Sequence, residues 1–463
     1  MDEMADLLRD VLTRIKPTED EHRKEKEIIS KIENILKKFN VNHMLVGSIA
    51  KGTDLRGDKD IDIFLLFPDN ISREELKTKG LEIGKSVFEN LNASYEIDYA
   101  EHPYVKGSYK GYALEIVPCF DTKKIKSAVD RTPHHTRYVI EKLKENPKLR
   151  DEIRLLKQFM KGIGIYGAEA KIRGFSGYLI ELLVLHYGSF LDVLSSVSKW
   201  HSKVIIDIEK KWKNASQIKV LFPDDELIVI DPVDENRNVA APVSLDNICK
   251  FKAYARAFLK NPNLEFFFPK PKPIIKKEDA KQVIKTRGTK VIFIKIEHEK
   301  INENTLYSQL RKTLKSIRMK VEKNGFRVMK SGFWSNEKHL SVLIFEFEVW
   351  KLPFVEKKMG PLILGRDEKN EKKFLMIYRD MNPYIENGRW YVDKERKFKD
   401  VKDFLGREVL KKKEGFGKHL RSGKFKVVDN PEDIISEIHE ASFLDYLSEF
   451  FGLRGDERLK VYP

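Results

Sequence analysis

The pattern of apolar and polar residues predicts alternating helices and strands in the first 145 residues. Apolar residues recur at helical spacing between residues 18 and 40, which indicates an amphipathic helix. Ser72 and Glu75 have the spacing of a capping box for a second helix that runs to about residue 90. Strands are predicted at Met44–Val46, Asp60–Phe67, 95–99 and 112–117. This region is therefore expected to be an α/β unit.

From about residue 147 to 260 the apolar spacing becomes helical. One face of the first predicted helix carries Leu155, Leu156, Phe159 and Met160. The segment 264–274 contains Pro269, Pro271 and Pro273, which indicates a stiff connector and a domain boundary.

Beyond this connector the pattern predicts a third unit that is split by an interruption of about 80 residues. The predicted elements are a strand at 291–296, a helix at 306–321, strands at 326–334 and 340–350, a helix near 432–451 and a strand at 459–462. Their order, β-α-β-β followed by α-β, is that of a ferredoxin-like unit with an insertion.

Charge adds a candidate partner to this picture. Lys and Arg number 87 against 72 Asp and Glu, which gives a net charge of +15. Such a surplus favours a polyanion such as nucleic acid, because cationic contacts to phosphate release counterions. A salt-laced surface on a heat-tolerant protein is the alternative, and 34% charged residues fit it as well.

The remaining composition indicates a cytoplasmic protein without a membrane partner. Cys119 and Cys249 are the two cysteines, and they are too few for a disulfide framework or a four-ligand zinc site. No window approaches the roughly 18 apolar residues of a membrane span, and the first ten residues do not have the pattern of a signal peptide.

Candidate chemistry lies on the predicted strand Asp60–Phe67. Side chains alternate along a strand, so Asp60 and Asp62 share one face while the apolar residues between them point to the other. Two carboxylates on a rigid strand suit Mg²⁺, which binds a few carboxylates together with phosphate oxygens. The alternative is a surface strand whose aspartates face solvent.

The residues before this strand favour the metal–phosphate interpretation. Gly47 and Gly52 allow the backbone to approach an anion closely, and Ser48 offers a hydroxyl donor. Lys51 adds a positive charge for a triphosphate.

Glycine-serine followed by Asp-x-Asp resembles the signature of the polymerase-β nucleotidyltransferase superfamily. The resemblance implies a third carboxylate on a neighbouring strand that completes a two-metal site. Glu115 is the candidate, because Leu114 and Ile116 face the opposite way. Aspartate is more usual there, and an exposed strand glutamate is the alternative.

Later segments narrow the resemblance to the archaeal, class I tRNA CCA-adding enzymes. The matching segments are Val129–His135, Arg154–Lys157, Gly164–Glu169, Arg173–Leu179 and Asp231–Ala240. The resemblance implies an α+β multidomain fold with a polymerase-β-like nucleotidyltransferase head, a helical neck, a ferredoxin-like body and an inserted tail. The expected bounds are 1–145 for the head, 146–262 for the neck, 275–350 with 431–463 for the body, and 351–430 for the tail.

The resemblance also implies which residues contact the nucleotide. These are Ser48, Lys51, His135, Lys157 and Tyr166. His134 competes with His135 for its role, Lys157 also fits a solvated lysine on the polar side of its helix, and Tyr166 also fits a packed turn aromatic.

Arg237 is the residue predicted to recognise the incoming base. Its guanidinium donors match cytosine O2 and N3 and reach adenine N1. The alternative is an ion pair with Asp231 or Asp234.

The implied function is template-independent addition and repair of the CCA end of tRNA. The implied substrates are CTP and ATP, and pyrophosphate is the implied by-product. Two Mg²⁺ ions are the implied cofactor, and the implied assembly is a homodimer. The body and tail, with Phe333, Trp334, Tyr384 and Trp390, are expected to bind tRNA, although for each aromatic taken singly core packing is the favoured explanation. The alternatives are a poly(A) polymerase, an oligoadenylate synthetase-like enzyme, or a non-catalytic RNA-binding protein.

Overall fold

A computed structural model describes residues 2–460 apart from 100, 123, 124, 126, 272, 366, 367 and 454. It divides into two compact units. The first consists of Met1–Pro271 with Asp456–Pro463, and the second of Lys272–Gly455. The boundary after Pro271 falls inside the segment predicted as a connector.

The elements of the first unit alternate between helices and strands. Its helices are α1 (Asp2–Ile15), α2 (Glu19–Leu36), α3 (Gly47–Lys51), α4 (Arg73–Asn90), α5 (Arg131–Glu145), α6 (Leu149–Gly162), α7 (Gly177–Tyr187), α8 (Phe190–Ser198), α9 (Ala215–Leu221) and α10 (Leu245–Lys260). Its strands are β1 (Asn42–Val46), β2 (Asp60–Pro68), β3 (Tyr95–Tyr99), β4 (Pro103–Tyr109), β5 (Tyr112–Asp121), β6 (Val204–Ile206), β7 (Leu227–Asp231) and β8 (Asp234–Asn238). Short 3₁₀ helices occur at Lys37–Phe39, Leu264–Phe266 and Glu457–Leu459.

Five strands form the first sheet in the order β1-β2-β5-β4-β3, with β2 and β5 parallel and the other pairs antiparallel. One face is apolar and packs with α2 and α4 in a common core. The predicted helices and strands of this region are confirmed, while α1, β4 and α5 were not predicted. The segment Gly47–Lys51, which follows β1, is the short helix α3.

Helices α6, α7, α8 and α10 surround a second core that is rich in phenylalanine. Phe159 of α6 contacts the rings of Phe190, Phe251, Phe258, Phe266 and Phe267. Phe266 and Phe267 belong to the predicted connector, so the start of that segment is part of the core. The region is not wholly helical as predicted, because β6, β7 and β8 form a small sheet within it.

No single described helix has the length and hydropathy of a membrane span, although α7 and α8, bent by 90°, meet these criteria as a pair. Their apolar side chains contribute to the core that also contains Phe159.

The second unit contains two sheets. Its helices are α11 (Lys277–Thr286), α12 (Glu303–Lys323), α13 (Glu368–Ile377), α14 (Val401–Phe404), α15 (Leu410–Lys412), α16 (Pro431–Glu437) and α17 (Ala441–Phe450), with a π-helical turn at Leu405–Val409 and a 3₁₀ helix at Arg379–Met381. Its strands are β9 (Lys290–Glu297), β10 (Arg327–Ser335), β11 (Leu340–Val349), β12 (Val355–Leu362), β13 (Tyr384–Glu386), β14 (Arg389–Glu395) and β15 (Lys424–Val428).

The larger sheet is antiparallel, with the order β10-β11-β9-β15. Helix α12 and residues 401–412 cover one face, and α11, α16 and α17 cover the other. The chain order β9-α12-β10-β11, then helix 401–412, then β15, gives the ferredoxin-like arrangement that was predicted.

The elements assigned to the second half of that arrangement were wrong. The helix is 401–412 rather than 432–451, and the strand is β15 rather than 459–462. Leu459 lies in a 3₁₀ helix, and residues 461 and 462 lie outside the described residues. An amphipathic pattern shows that a helix covers a sheet but not which face it covers, so the pattern does not distinguish α17 from the helix that precedes the last strand.

The inserted segment is consequently shorter than the predicted 351–430. A bridge between Lys351 and Asp400 joins its two ends, and β12, β14 and β13 form its sheet. Trp334, one of the aromatics considered for RNA binding, is buried against Phe443 in the core.

The chain segment from Asp456 to Lys460 belongs to the first unit rather than to the predicted body. Arg458 Nη1 donates hydrogen bonds to the carbonyl oxygens of Gly162 and Glu265, both at 3.0 Å.

Candidate active site

The three predicted carboxylates lie on one face of the first sheet. In the parallel pair β2 and β5, Asp62 is the register partner of Glu115, and Asp60 lies two residues before Asp62. Ile61 and Leu114, which alternate with them, are buried in the core on the opposite face. The strand period and the register therefore bring Asp60, Asp62 and Glu115 to the same side.

Negative charge accumulates on this face. Burial, together with Glu115 and Asp60, raises the pKa of Asp62 to about 7, while Lys51 acts in the opposite direction. Burial also raises the pKa of Glu115 and of Asp60. A cation would relieve both the desolvation and the mutual repulsion, and an all-oxygen donor set suits a hard divalent ion.

The three carboxylates do not form a compact single-ion cluster. In the described part of the chain, the one group of three ligand atoms within 4.8 Å of one another belongs to His22, Glu25 and Asp54. Two ions that lie about 3.5–4 Å apart need ligands spread over a wider area, which fits the spacing along and across the strands.

Gly47 makes room for the Asp62 carboxylate. Its φ is +75°, and a Cβ at this position would lie 2.5 Å from Asp62 Oδ2. Glycine is required here for its backbone conformation and for space beside a carboxylate, rather than only for approach to an anion. Ser48, the second residue of α3, is partly exposed.

Lys51 and Lys157 are both buried, and both contact Glu181 of α7, which is fully buried as well. Lys51 Nζ donates to Glu181 Oε2 at 2.7 Å, and Lys157 Nζ lies 3.8 Å from Oε1. Lys157 also donates to the carbonyl and hydroxyl oxygens of Thr53, and the Thr53 hydroxyl donates to Glu181 Oε1 at 3.1 Å.

Two consequences follow for the lysines. The alternative of a solvated Lys157 is wrong, because this side chain is 2% exposed and burial lowers its pKa to about 8. Lys51 is 8% exposed, so its positive charge reaches the carboxylate face from within an ion pair and not as a free side chain.

A second buried carboxylate, Asp231 at the end of β7, organises the other predicted residues. His135 Nε2 donates to its Oδ2 at 2.9 Å, Arg237 Nη1 donates to the same oxygen at 2.7 Å, and the Tyr178 hydroxyl donates to Oδ1 at 3.0 Å. The His135 and Tyr178 rings stack with their centroids 3.9 Å apart. The ion pair between Arg237 and Asp231, considered as an alternative from the sequence, is present.

Several hydrogen-bond donors surround the Asp231 carboxylate. Its burial alone would raise its pKa, but hydrogen bonds from His135, the Val233 amide and Arg237 lower the pKa to about 2. Burial lowers the pKa of His135 despite its carboxylate partner. His134, the competing candidate, contacts the Thr122 carbonyl oxygen instead.

Tyr166 packs against the phenylalanine-rich core of the first unit. It pairs with Phe175 in an isolated β-bridge, and its ring centroid lies 5.3 Å from Lys161 Nζ. Burial and the nearby acidic groups, including Asp60, raise the pKa of its hydroxyl. Tyr166 thus packs as a turn aromatic while remaining within electrostatic range of Asp60.

Sequence reasoning missed Glu181 as a site residue and treated Asp231 only as a competitor for Arg237. A glutamate within Tyr178–His186 is the one charged side chain in an otherwise apolar helical run apart from its terminal histidine. That polar interruption was the available signal, since a buried acid requires a cationic partner.

Three family models match successive parts of the chain. A nucleotidyltransferase domain matches residues 27–145, which contain the carboxylate face. A tRNA nucleotidyltransferase second domain matches 151–268, and a CCA-adding enzyme C-terminal domain matches 287–430. Together with the sheet geometry, the first match defines the class: the protein is a nucleotidyltransferase with a polymerase-β-like catalytic fold.

Comparison with curated relatives identifies the family within this class. The CCA-adding enzyme of Archaeoglobus fulgidus is 42% identical, with 85% of this chain and 87% of the relative covered. That of Methanocaldococcus jannaschii is 40% identical, with 87% and 90% covered, and that of Methanothermobacter thermautotrophicus is 37% identical, with 95% and 96% covered. The chain belongs to the family of CCA-adding enzymes, which are tRNA nucleotidyltransferases, and the resemblance found in the sequence is confirmed.

Solved structures of more distant proteins also resemble the chain. A structure of Cid1, an RNA terminal uridylyl transferase, has a TM-score of 0.49 at 16% identity and covers 59% of this chain and 99% of its own. A cytoplasmic RNA terminal U-transferase has a TM-score of 0.46 at 14% identity, with 57% and 96% covered.

Proposed function

We propose that this protein adds and repairs the 3′-terminal CCA of tRNA without a template, using CTP and ATP and releasing pyrophosphate. The register that sets Asp62 beside Glu115, with Asp60 on the same face, is the observation that carries the chemical step. Family membership supports tRNA and nucleotides as the substrates.

Asp60, Asp62 and Glu115 would hold the divalent metal of the nucleotidyltransferase fold, for which we propose Mg²⁺. When bound, such ions make the tRNA 3′-hydroxyl more acidic and neutralise charge on the departing pyrophosphate. The chain's own contribution is to fix three carboxylates on rigid strands, with Gly47 leaving space for that of Asp62.

Arg237 is proposed to recognise the base. Within the described residues, its Nη1 bonds to Asp231 while Nε and Nη2 have no hydrogen-bond partner, and the side chain is 32% exposed. A guanidinium that is held at one nitrogen presents its other donors in a fixed direction, which supports discrimination between base edges. Asp231 would then act as a positioning residue for both Arg237 and His135.

Ser48, Lys51, His135, Lys157 and Tyr166 stay proposed nucleotide contacts. The net charge of +15 supports tRNA binding through phosphate contacts. The homodimer and the cytoplasmic location are likewise proposals, and light scattering of the purified protein would test the first.

A tRNA lacking its CCA end, incubated with labelled CTP and ATP, tests the function. We expect growth by three nucleotides and then arrest. A long homopolymer tail would refute the proposal in favour of a poly(A) polymerase. Asp62→Asn should abolish incorporation, whereas Asp121→Asn, an exposed carboxylate at the far end of β5, should not. Unchanged activity of Asp62→Asn would contradict the carboxylate mechanism.

A further inference from the structure

A second group of potential metal ligands lies apart from the carboxylate face. His22 and Glu25 are one turn apart on α2, and Asp54 lies in the segment between α3 and β2. One ligand atom from each lies within 4.8 Å of the other two, and His22 Nδ1 lies 3.2 Å from Glu25 Oε2.

Asp54 carries an oxygen that the protein leaves unsatisfied. The residue is 1% exposed, and Oδ2 is buried with no hydrogen-bond partner among the described residues. Its other oxygen, Oδ1, lies 3.7 Å from Arg154 Nη2. A buried carboxylate oxygen without a partner is costly, so a ligand at Oδ2 would remove a real penalty.

Glu25 adds to this imbalance. It is 3% exposed, and its hydrogen-bond partner among the described residues is His22. Arg154 is the one cation within salt-bridge distance of Asp54 in the described residues, and it also bonds to Asp151 at 3.0 Å. Asp54 therefore shares its cation with Asp151, and the ion-pair partner of Glu25 in the described residues is His22.

We propose that His22, Glu25 and Asp54 form a binding site for a divalent transition-metal ion such as Zn²⁺. One imidazole nitrogen with two carboxylate oxygens is a donor set that first-row transition metals favour over Mg²⁺. His22 is exposed, which provides an entry path from solvent, while the two acids are buried beneath it.

The expected effect of the ion is to fasten α2 to the segment that leads into β2. That segment already depends on α2, because the Gly57 amide donates to Glu21 Oε1 at 3.1 Å. From the other side, Arg154 Nε donates to the Asp54 carbonyl oxygen at 2.9 Å. Asp60 follows a few residues later, so the ion would stiffen the approach to the carboxylate face without touching it.

Zinc titration of the full-length protein tests the site in an Asp60→Asn, Asp62→Asn background, which weakens metal binding at the carboxylate face. Calorimetry should show one tight zinc site per chain, and Co²⁺ should give visible absorption bands characteristic of a nitrogen-containing site. Bound zinc should raise the melting temperature. Adding His22→Ala should weaken zinc affinity at least about 100-fold, since loss of even an outer-shell partner costs 10–100-fold. His201→Ala, another exposed histidine, is the matched control and should bind zinc normally.

Glu25→Gln and Asp54→Asn provide independent variants, and each should weaken zinc binding while circular dichroism reports an intact fold. The proposal is overturned if the background protein binds no zinc, because the two acids then share a proton instead of an ion. It is equally overturned if zinc binds but His22→Ala leaves the affinity and the Co²⁺ spectrum unchanged. Mg²⁺ at the same concentration should not compete, and displacement of zinc by Mg²⁺ would contradict the donor-set argument.

Discussion

Glu181→Gln is the substitution that most directly tests how the candidate site is held together. Glu181 is fully buried and is the partner of two buried lysines, at 2.7 Å from Lys51 and 3.8 Å from Lys157. Glutamine keeps the size of the side chain and an oxygen that accepts from the Thr53 hydroxyl. The substitution therefore removes charge while leaving shape nearly unchanged.

The distances give the size of the effect. At an effective dielectric constant of about 20, unit charges attract by about 6 kcal/mol at the Lys51 separation and by about 4 kcal/mol at that of Lys157. Part of this attraction offsets the desolvation of the three groups. Removing one partner from a buried ion pair costs about 3–5 kcal/mol, because the remaining charge is left buried and unpaired. We expect the free energy of unfolding to fall by that amount near neutral pH.

The pH dependence provides a second signature. Burial lowers the pKa of Lys157 from 10.5 to about 8 in the folded protein. Between these values the unfolded chain binds more protons, so this group makes stability rise with pH by about 3 kcal/mol in total. Without Glu181 the pKa of Lys157 falls further, and the increase of stability with pH begins at a lower pH. The deficit of the variant should therefore be largest in mildly acid solution and should narrow as the pH approaches 8.

Urea unfolding at pH 6.5 and 8.5 measures both effects, followed by circular dichroism and by the fluorescence of Trp200 and Trp212 in the first unit. Glu141→Gln, the same change at an exposed position of α5, is the control and should stay within about 0.5 kcal/mol of the original protein. Adding Lys157→Met to Glu181→Gln should recover part of the stability, because it removes one of the two lysines left unpaired. A Glu181→Gln deficit below about 1 kcal/mol at pH 6.5, or no recovery in the double variant, would refute the reasoning.

Three further predictions concern the same region. Gly47→Ala should cost about 1–2 kcal/mol for its positive φ and should also reduce nucleotide incorporation, because its Cβ meets Asp62 Oδ2; a fully active variant would contradict the packing. The Asp231 carboxylate stabilises the original protein above its lowered pKa, and Asp231→Asn should remove this stabilisation. The free energies of unfolding of the two proteins should therefore converge as the pH falls from 4 to 2, and a constant difference would contradict this. Arg237→Lys should lower kcat/KM for CTP by about 5–150-fold with relaxed discrimination against UTP, whereas an equal loss for every nucleotide would argue against base recognition.

The carboxylate face could be predicted from sequence because its determinants are local. Asp60 and Asp62 obey the two-residue period of a strand, and apolar neighbours mark the opposite face. Glu115 required only that its strand lie beside β2, and the register then places it opposite Asp62. The two-residue period of a strand and the alternation of polar and apolar residues are therefore enough to predict the carboxylate face, and no distant contact has to be known.

The neutralising residues could not be predicted in the same way. Glu181 meets Lys51 from 130 positions away, and Asp231 meets His135 from 96. The amphipathic pattern of its helix left a solvated Lys157 as the alternative to a nucleotide contact, yet the side chain is covered by the segment between α3 and β2 that contains Thr53. The hydrophobic pattern indicates whether a position is suited to the core. The pairing of buried charges depends instead on tertiary contacts between elements that are distant in sequence.

The two buried carboxylates explain why the predicted nucleotide contacts are fixed rather than free. Glu181 holds Lys51, and Asp231 holds Arg237 and His135. A free lysine or arginine would have to lose side-chain entropy when a triphosphate or base arrives, whereas one that is already paired has lost it during folding. Both carboxylates come from residues beyond the first sheet, and Lys51, which acts on Asp62, is held by Glu181 of α7. A substitution at either carboxylate should therefore alter nucleotide affinity while all three residues of the carboxylate face remain in place.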